Sequence, residues 1–331
     1  MKRLVAAFAG LIVSLATAHA DPREVSGEEA SAEAPVEQPW DSVDEPVAVP
    51  APPSEDDTPG MPDENVPVAP RPSHKARMVT NPRPHSARSR VEDDDGRLEK
   101  REDTVLGGKH FRIKTARGAV HVWAPPDYDR ETAGTVIYVH GYYTDADGAW
   151  REHELARQFK ASRQNALFIV PDAPAGNDQD VQWTALTDLR RAVTRANIRL
   201  PDGPVVVMGH SGAFRTVMQW VDHRAIDQII LLDALYAGEK AFDEFIASGK
   251  RADDHKLIVV AASTAEESAS FARRYKFAVA REKMPATVGG FTRRERGAKL
   301  LYVRSQYEHM AIVTSGKVIP MLLRVTPLKA L

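Results

Sequence analysis

Two short segments carry residue types that could attack and stabilise a reacting carbonyl. Gly209-His210-Ser211-Gly212-Ala213 follows the apolar run Val205–Met208 and leads at once into a stretch of helical spacing. A serine in a sharp strand-to-helix turn, flanked by small residues, projects its hydroxyl into solvent while neighbouring amides stay open at a helix N-terminus. This is the pattern of a nucleophile elbow, with Ala213 where G-x-S-x-G has its last glycine. The plain alternative is that Ser211 caps a helix. The second segment, His140-Gly141-Tyr142-Tyr143, follows the apolar run Val136–Val139. An oxyanion hole takes one N–H from a loop beside the nucleophile and one from the residue after it. That points to Tyr142 and Gly212, with Tyr143 as a one-residue alternative, and to Gly141 as the position where backbone approaches the carbonyl. His140 reads as a residue that fixes the loop.

Competing chemistries find little support. The chain has no cysteine, which excludes disulfides, thiolate metal sites, cysteine nucleophiles and a lipoprotein anchor. No H-x-x-x-H or H-E-x-x-H spacing and no glycine-rich phosphate loop occurs. Asp145 and Asp147, with Asp178 and Asp180, share part of a calcium-loop spacing but lack the twelfth-position glutamate. No cofactor and no metal is therefore expected. A basic stripe interleaved with aromatics is also missing, so nucleic acid is not an expected partner.

The elements that must hold these residues alternate along the chain. Short apolar runs bounded by turn residues recur at Phe111–Ile113, Val120–Trp123, Thr135–Val139, Ala166–Val170, Val205–Met208, Gln228–Leu232, Leu257–Ala262 and Leu300–Val303. Between the last six lie segments of helical spacing, among them Ala149–Arg163, Leu186–Ile198, Phe214–Val221, Glu239–Ile246 and Ser268–Val279. Strands buried on both faces and alternating with helices predict an α/β three-layer sandwich around a mostly parallel sheet of about eight strands. The first two runs, joined by Arg117-Gly118, predict an antiparallel hairpin leading in. In such sheets the functional groups sit at the carboxyl ends of the strands.

With His140-Gly141, the Gly209–Ala213 elbow and a late histidine in that order and spacing, residues 104–331 resemble the α/β-hydrolase fold family. The resemblance covers none of residues 1–103. It implies a serine hydrolase of the esterase type whose members run Ser, acid, His along the chain. His309, in Ser305-Gln306-Tyr307-Glu308-His309-Met310, is then the general base, since it alone follows the last strand. His210, within the elbow, is not placed to reach round. The acid expected is Asp233, which follows the run Gln228–Leu232, with Glu266 and Glu267 as alternatives after the next strand, where the family more often has it. An ester and an amide leaving group are both compatible with such a site, and so is a non-catalytic envelope protein on the same scaffold. Only about twenty residues separate Asp233 from His255, too few for a large lid. The connection Asp172–Thr184 is instead the segment expected to form a wall.

Ahead of this domain the composition changes twice. Residues 1–20 carry Lys2-Arg3, the apolar run Leu4–Leu15 and Ala18-His19-Ala20, the layout of a secretory signal peptide, too short for a membrane anchor. Residues 21–70 hold fourteen Asp/Glu and one Arg, residues 71–90 hold six Arg/Lys and no acid, and fourteen of the 23 prolines fall between Pro22 and Pro84. Residues 21–103 are therefore read as an unstructured linker. The overall charge is −2, yet 104–331 holds 25 acids and 32 bases. The expectations are export to the periplasm or medium, no membrane span once the signal is removed, electrostatic contact with the envelope, and a small-molecule or envelope-polymer acyl substrate.

Overall fold

The structure, a computed structural model, describes residues 98–252 and 254–331. The signal peptide at 1–20 and most of the linker, up to residue 97, lie outside the described residues.

Ten strands form one sheet: β1 (Glu99–Val105), β2 (Gly108–Thr115), β3 (Gly118–Ala124), β4 (Gly134–Val139), β5 (Ala166–Pro171), β6 (Val205–His210), β7 (Gln228–Leu232), β8 (Lys256–Ala261), β9 (Val279–Arg281) and β10 (Leu300–Arg304). Their order is β1-β2-β3-β5-β4-β6-β7-β8-β10-β9. β1, β2, β3 and β5 pair antiparallel, and from β5 to β9 every pairing is parallel. The helices are α1 (Ala146–Glu152), α2 (Leu155–Ser162), α3 (Leu186–Arg195), α4 (Phe214–Met218), α5 (Glu239–Ser248), α6 (Ala265–Arg273), α7 (Arg293–Arg296), α8 (Ala311–Thr314) and α9 (Val318–Leu323).

The alternation of side chains along each strand divides the core. Ile137, Val139, Val207, Ile229 and Leu231 pack with Leu189 and Val193 of α3, Val217 of α4, Phe242 and Phe245 of α5 and Phe271 of α6. Val136, Tyr138, Val206, Met208, Ile230 and Leu232 face the other way, against Leu155 and Phe159 of α2, Ile312 and Val313 of α8 and the α9 residues Ile319 and Leu322. Both faces are dry, which is why these strands read as continuous apolar runs. Helices on both faces of a mostly parallel sheet with an antiparallel lead-in make the α/β-hydrolase fold.

Several boundaries differ from expectation, each for a local reason. The sheet has ten strands, not eight. β1 (EKREDTV) is almost wholly exposed and charged, so it carries no apolar signal, and it starts at Glu99, inside the stretch read as linker. It is specified by the tight turn at Leu106-Gly107, both at positive φ (52° and 84°), which sets its register on β2. β9 is three residues long, and with it the expected helix Ser268–Val279 shortens to α6. The expected helix Ala149–Arg163 is two helices, α1 and α2, broken where Glu154 takes the left-handed conformation at φ 47°.

Candidate active site

Ser211 follows β6 directly, at φ 52°, a left-handed conformation held only where the surroundings impose it. A single 3-10 turn, Ser211–Ala213, then opens α4. A Cβ on Gly209 would stand 2.9 Å from Val217 and 3.3 Å from the Ala213 methyl. The bare Gly209 thus leaves room for alanine at the fifth position of the motif.

From the serine hydroxyl a continuous chain of hydrogen bonds runs inward. Ser211 Oγ lies 3.0 Å from His309 Nε2, and His309 Nδ1 lies 2.7 Å from Asp233 Oδ2. With the ring proton on Nδ1 donated to the carboxylate, Nε2 is left to accept from the serine. Asp233, fully buried, follows β7 directly and reaches across to the loop leaving β8. Its Oδ1 accepts the N–H of Ala262 at 3.0 Å, the N–H of Thr264 at 2.9 Å and the Thr264 hydroxyl at 2.8 Å; its Oδ2 accepts the Ser263 N–H at 3.0 Å. Burial alone would raise the pKa of this carboxyl, but the His309 bond and the three backbone donors hold it well below the usual carboxylate range. It is an anion whose every lone pair has a partner.

Of the three candidates for the acid, the structure brings only Asp233 to His309. Glu266 and Glu267 lie in the first turn of α6, exposed, and have no hydrogen bond to the histidine among the described residues. Glu266→Ala and Glu267→Ala are each expected to leave turnover within about twofold of the unmodified protein, read by steady-state hydrolysis.

On the other side of Ser211, a Cβ on Gly141 would stand 2.7 Å from the Ser211 Cβ and 3.0 Å from the His210 carbonyl. The loop is thus pressed against the elbow. The Tyr142 N–H has no hydrogen-bond partner among the described residues, and the Gly212 N–H sits in the first turn of a helix, where no earlier carbonyl serves it. The Tyr143 N–H, in contrast, donates to the Ala175 carbonyl at 2.9 Å, which removes Tyr143 as a donor to substrate. Gly141→Ala must push the loop off the serine, and a displacement near 1 Å is expected to lower kcat about 100-fold with the fold intact, checked by kinetics beside circular dichroism.

His140 anchors the loop. Fully buried, it donates from Nδ1 to the Gly141 carbonyl at 2.8 Å and accepts the Ala173 N–H on Nε2 at 3.0 Å. Asp172 then receives the Ala146 N–H at 3.0 Å, tying the start of α1 to the exit of β5.

Two supporting residues were not legible as such in the sequence. His210, set aside as unable to reach round, lies directly against His309, ring centroids 4.7 Å apart, with Nε2 3.3 Å from the His309 carbonyl. Burial, reinforced by any charge on His309 and His153, pushes its pKa down to about 3, so it remains neutral. Arg215, one turn beyond Ser211, donates to the carbonyls of Gly176 (3.1 Å), Asn177 (3.3 Å) and Gln179 (2.9 Å) and approaches the Tyr142 hydroxyl at 3.4 Å. It pins the 172–185 connection against the elbow. A guanidinium just after the elbow, in a chain with a long polar connection after the preceding strand, is the signal that could have found it. Trp183, within that connection, is a core residue and forms no wall.

The mouth is open. Tyr143, Tyr236 and Met310, each adjacent to a residue described above or a few positions from it, are 96%, 49% and 50% exposed. Among the described residues no group of three or more acidic or histidine side chains converges as a metal ligand set, and no helix is long and apolar enough to cross a membrane. Asp145 and Asp147 have other tasks: Asp145 caps α1 through the Gly148 N–H at 2.6 Å, and Asp147 pairs with Arg112.

No protein-family model and no curated protein sequence matches the chain. Among solved structures it is similar to an S-formylglutathione hydrolase from Agrobacterium tumefaciens (14% identity, 68% of this chain and 95% of that one, TM-score 0.39). It is similar also to the feruloyl esterase module from Clostridium thermocellum (13%, 68% and 87%, TM-score 0.44). A third is a fluorophosphonate-binding serine hydrolase of Staphylococcus aureus (10%, 69% and 98%, TM-score 0.44). At such identities function must be argued from the atoms of the site itself.

Proposed function

We propose that the chain is an exported serine hydrolase that cleaves carboxylic esters. One observation carries this reading: the unbroken hydrogen-bond chain from the Ser211 hydroxyl through His309 to Asp233. In the proposed reaction Ser211 Oγ attacks the acyl carbon as its proton passes to His309 Nε2, and the imidazolium so formed is stabilised by Asp233. The carbonyl oxygen, now an oxyanion, is held by the Tyr142 and Gly212 amides. The tetrahedral intermediate collapses, the bond to the alcohol oxygen breaks, and His309 returns the proton to that leaving group. Water, deprotonated by His309, then attacks the acyl-serine, and collapse of the second intermediate releases the carboxylic acid and restores the Ser211 hydroxyl.

The open mouth and the short Asp233–His255 connection suit a small acyl ester or an exposed acyl group on an envelope polymer better than a long aliphatic chain, which calls for a deep apolar channel. The location outside the cytoplasm rests on the basic-apolar-small pattern of residues 1–20. The test is treatment of the purified chain with a fluorophosphonate, followed by mass mapping. A single adduct on Ser211 that disappears in His309→Ala is expected; well-folded protein without an adduct overturns the reading.

A further inference from the structure

A second run of histidines and carboxylates lies on the β2–β3 hairpin, away from the serine. His110 Nδ1 is 2.7 Å from Asp103 Oδ1, His110 Nε2 is 2.9 Å from His121 Nδ1, and His121 Nε2 is 2.8 Å from Asp147 Oδ1. Counting protons along this line leads to a definite charge state. His110 Nδ1 and His121 Nε2 each have a carboxylate as their only hydrogen-bond partner among the described residues and so carry a proton, because a carboxylate only accepts. If each ring then held only that one proton, His110 Nε2 and His121 Nδ1 would meet lone pair to lone pair at hydrogen-bond distance. A third proton on the four nitrogens satisfies all three contacts.

The surroundings suit one positive charge. His110 and His121 are 6% and 3% exposed, so a charge there needs compensation. The groups facing them are Asp103 from β1, Arg112 from β2 and Asp147 from α1, with Asp145 and Asp172 acting on Arg112. One shared proton brings the pair together with Asp103, Asp147 and Arg112 to neutrality. The Arg112 hydrogen bond holds the Asp147 carboxyl down to about 2. Burial, with the charge of His110 added to it, pulls His121 down to about 4, so the two rings do not both become imidazolium. Independently, the Trp150 indole lies parallel to both rings, at 4.7 and 5.0 Å between centroids, the face-on placement that favours a cation.

The same groups reach the proposed oxyanion loop. Asp147 and Trp150 belong to α1, whose first residue is bound by Asp172 and whose N-cap, Asp145, ends the loop that starts at Gly141. We propose that His110 and His121 share a single proton between Asp103 and Asp147, and that this proton positions α1 and with it the Gly141–Tyr142 backbone beside Ser211. The inference rests on the proposed hydrolase reading for its effect on turnover, but the proton itself does not. As pH rises and the proton leaves, one contact in the line breaks and the loop loosens, which sets an alkaline limit on activity.

The test uses the full chain labelled with 15N, and the variant Asp103→Asn, which alters an exposed side chain on the edge strand and leaves Ser211, His309 and Asp233 untouched. Histidine ring spectra are expected to show three ring protons over His110 and His121, falling to two in a single step felt by both rings, with the Gly141 and Tyr142 amides moving at the same midpoint. In Asp103→Asn, where an anion favouring the charged pair is gone, that midpoint and the alkaline limb of kcat for p-nitrophenyl acetate should both fall by about one pH unit. Two singly protonated rings at the pH of turnover, amides that do not follow the rings, or superimposable rate profiles would each overturn the proposal. If the wild type neither turns over the ester nor takes the fluorophosphonate while the ring and amide signatures are present, the hydrolase reading fails and the shared proton stands.

Discussion

Ser211→Ala is expected to lower kcat by about 10⁴-fold or more, with little change in melting temperature. The hydroxyl hydrogen-bonds to His309 and to the half-exposed Tyr236 side chain, and no part of the core depends on it. The backbone at this residue, at φ 52°, supplies a sharper version of the experiment. Glycine adopts that conformation freely, so Ser211→Gly should be equally inactive yet as stable as the parent or more so, by about 1 kcal/mol. Turnover together with chemical denaturation of both variants reads the two effects apart. A Ser211→Ala protein that retains ester turnover removes Ser211 as nucleophile.

Asp233 is expected to behave in the opposite way, with function and stability falling together. Asp233→Ala abandons the N–H groups of Ala262, Ser263 and Thr264, the Thr264 hydroxyl and the His309 ring in a fully buried place. Donors buried without acceptors, with the gap left by the carboxylate, should cost about 3 kcal/mol or more. Asp233→Asn separates the contributions. Its amide oxygen can stand where Oδ1 stands and keep the Ala262 and Thr264 bonds, but its NH₂ then faces the Ser263 N–H and the His309 Nδ1 proton. The histidine is driven to the other tautomer, its Nε2 then carries the proton, and kcat should fall by about 10⁴-fold for a smaller loss of stability than alanine causes. Denaturant midpoints beside kcat for the three proteins check this; an asparagine variant with near-normal turnover would mean that the carboxylate does not orient the base.

The contrast between these residues also explains what could be read beforehand. Ser211 stands out in the sequence because an elbow needs small neighbours, and Gly209, Gly212 and Ala213 write that need into the chain. Asp233 does not, because what singles it out is the cluster of amides on the β8 exit loop, contributed by residues 262–264 and brought to it only by the pairing of β7 with β8. Glu266 and Glu267, a few residues further along, look equally suitable on paper. The central strands were legible from their apolar runs, whereas β1, polar up to Val105, is defined by its turn and its partner. His110 and His121 escaped notice for a similar reason: they lie eleven residues apart and meet only because the Arg117-Gly118 hairpin places His110 opposite Trp123 and His121 opposite Arg112. The register of that hairpin was the one clue the chain offered.

The position of β1 has a mechanical consequence. As the edge strand among the described residues it pairs with β2 alone, by the ladder that runs from Glu99↔Lys114 to Val105↔Gly108. A pull on the chain ahead of Glu99 bears on these pairs singly, in the manner of a zipper, so β1 yields under loads far smaller than the parallel centre of the sheet withstands. Asp103 would leave with it, and the line of histidines behind would lose its outer carboxylate before any other part of the fold had moved.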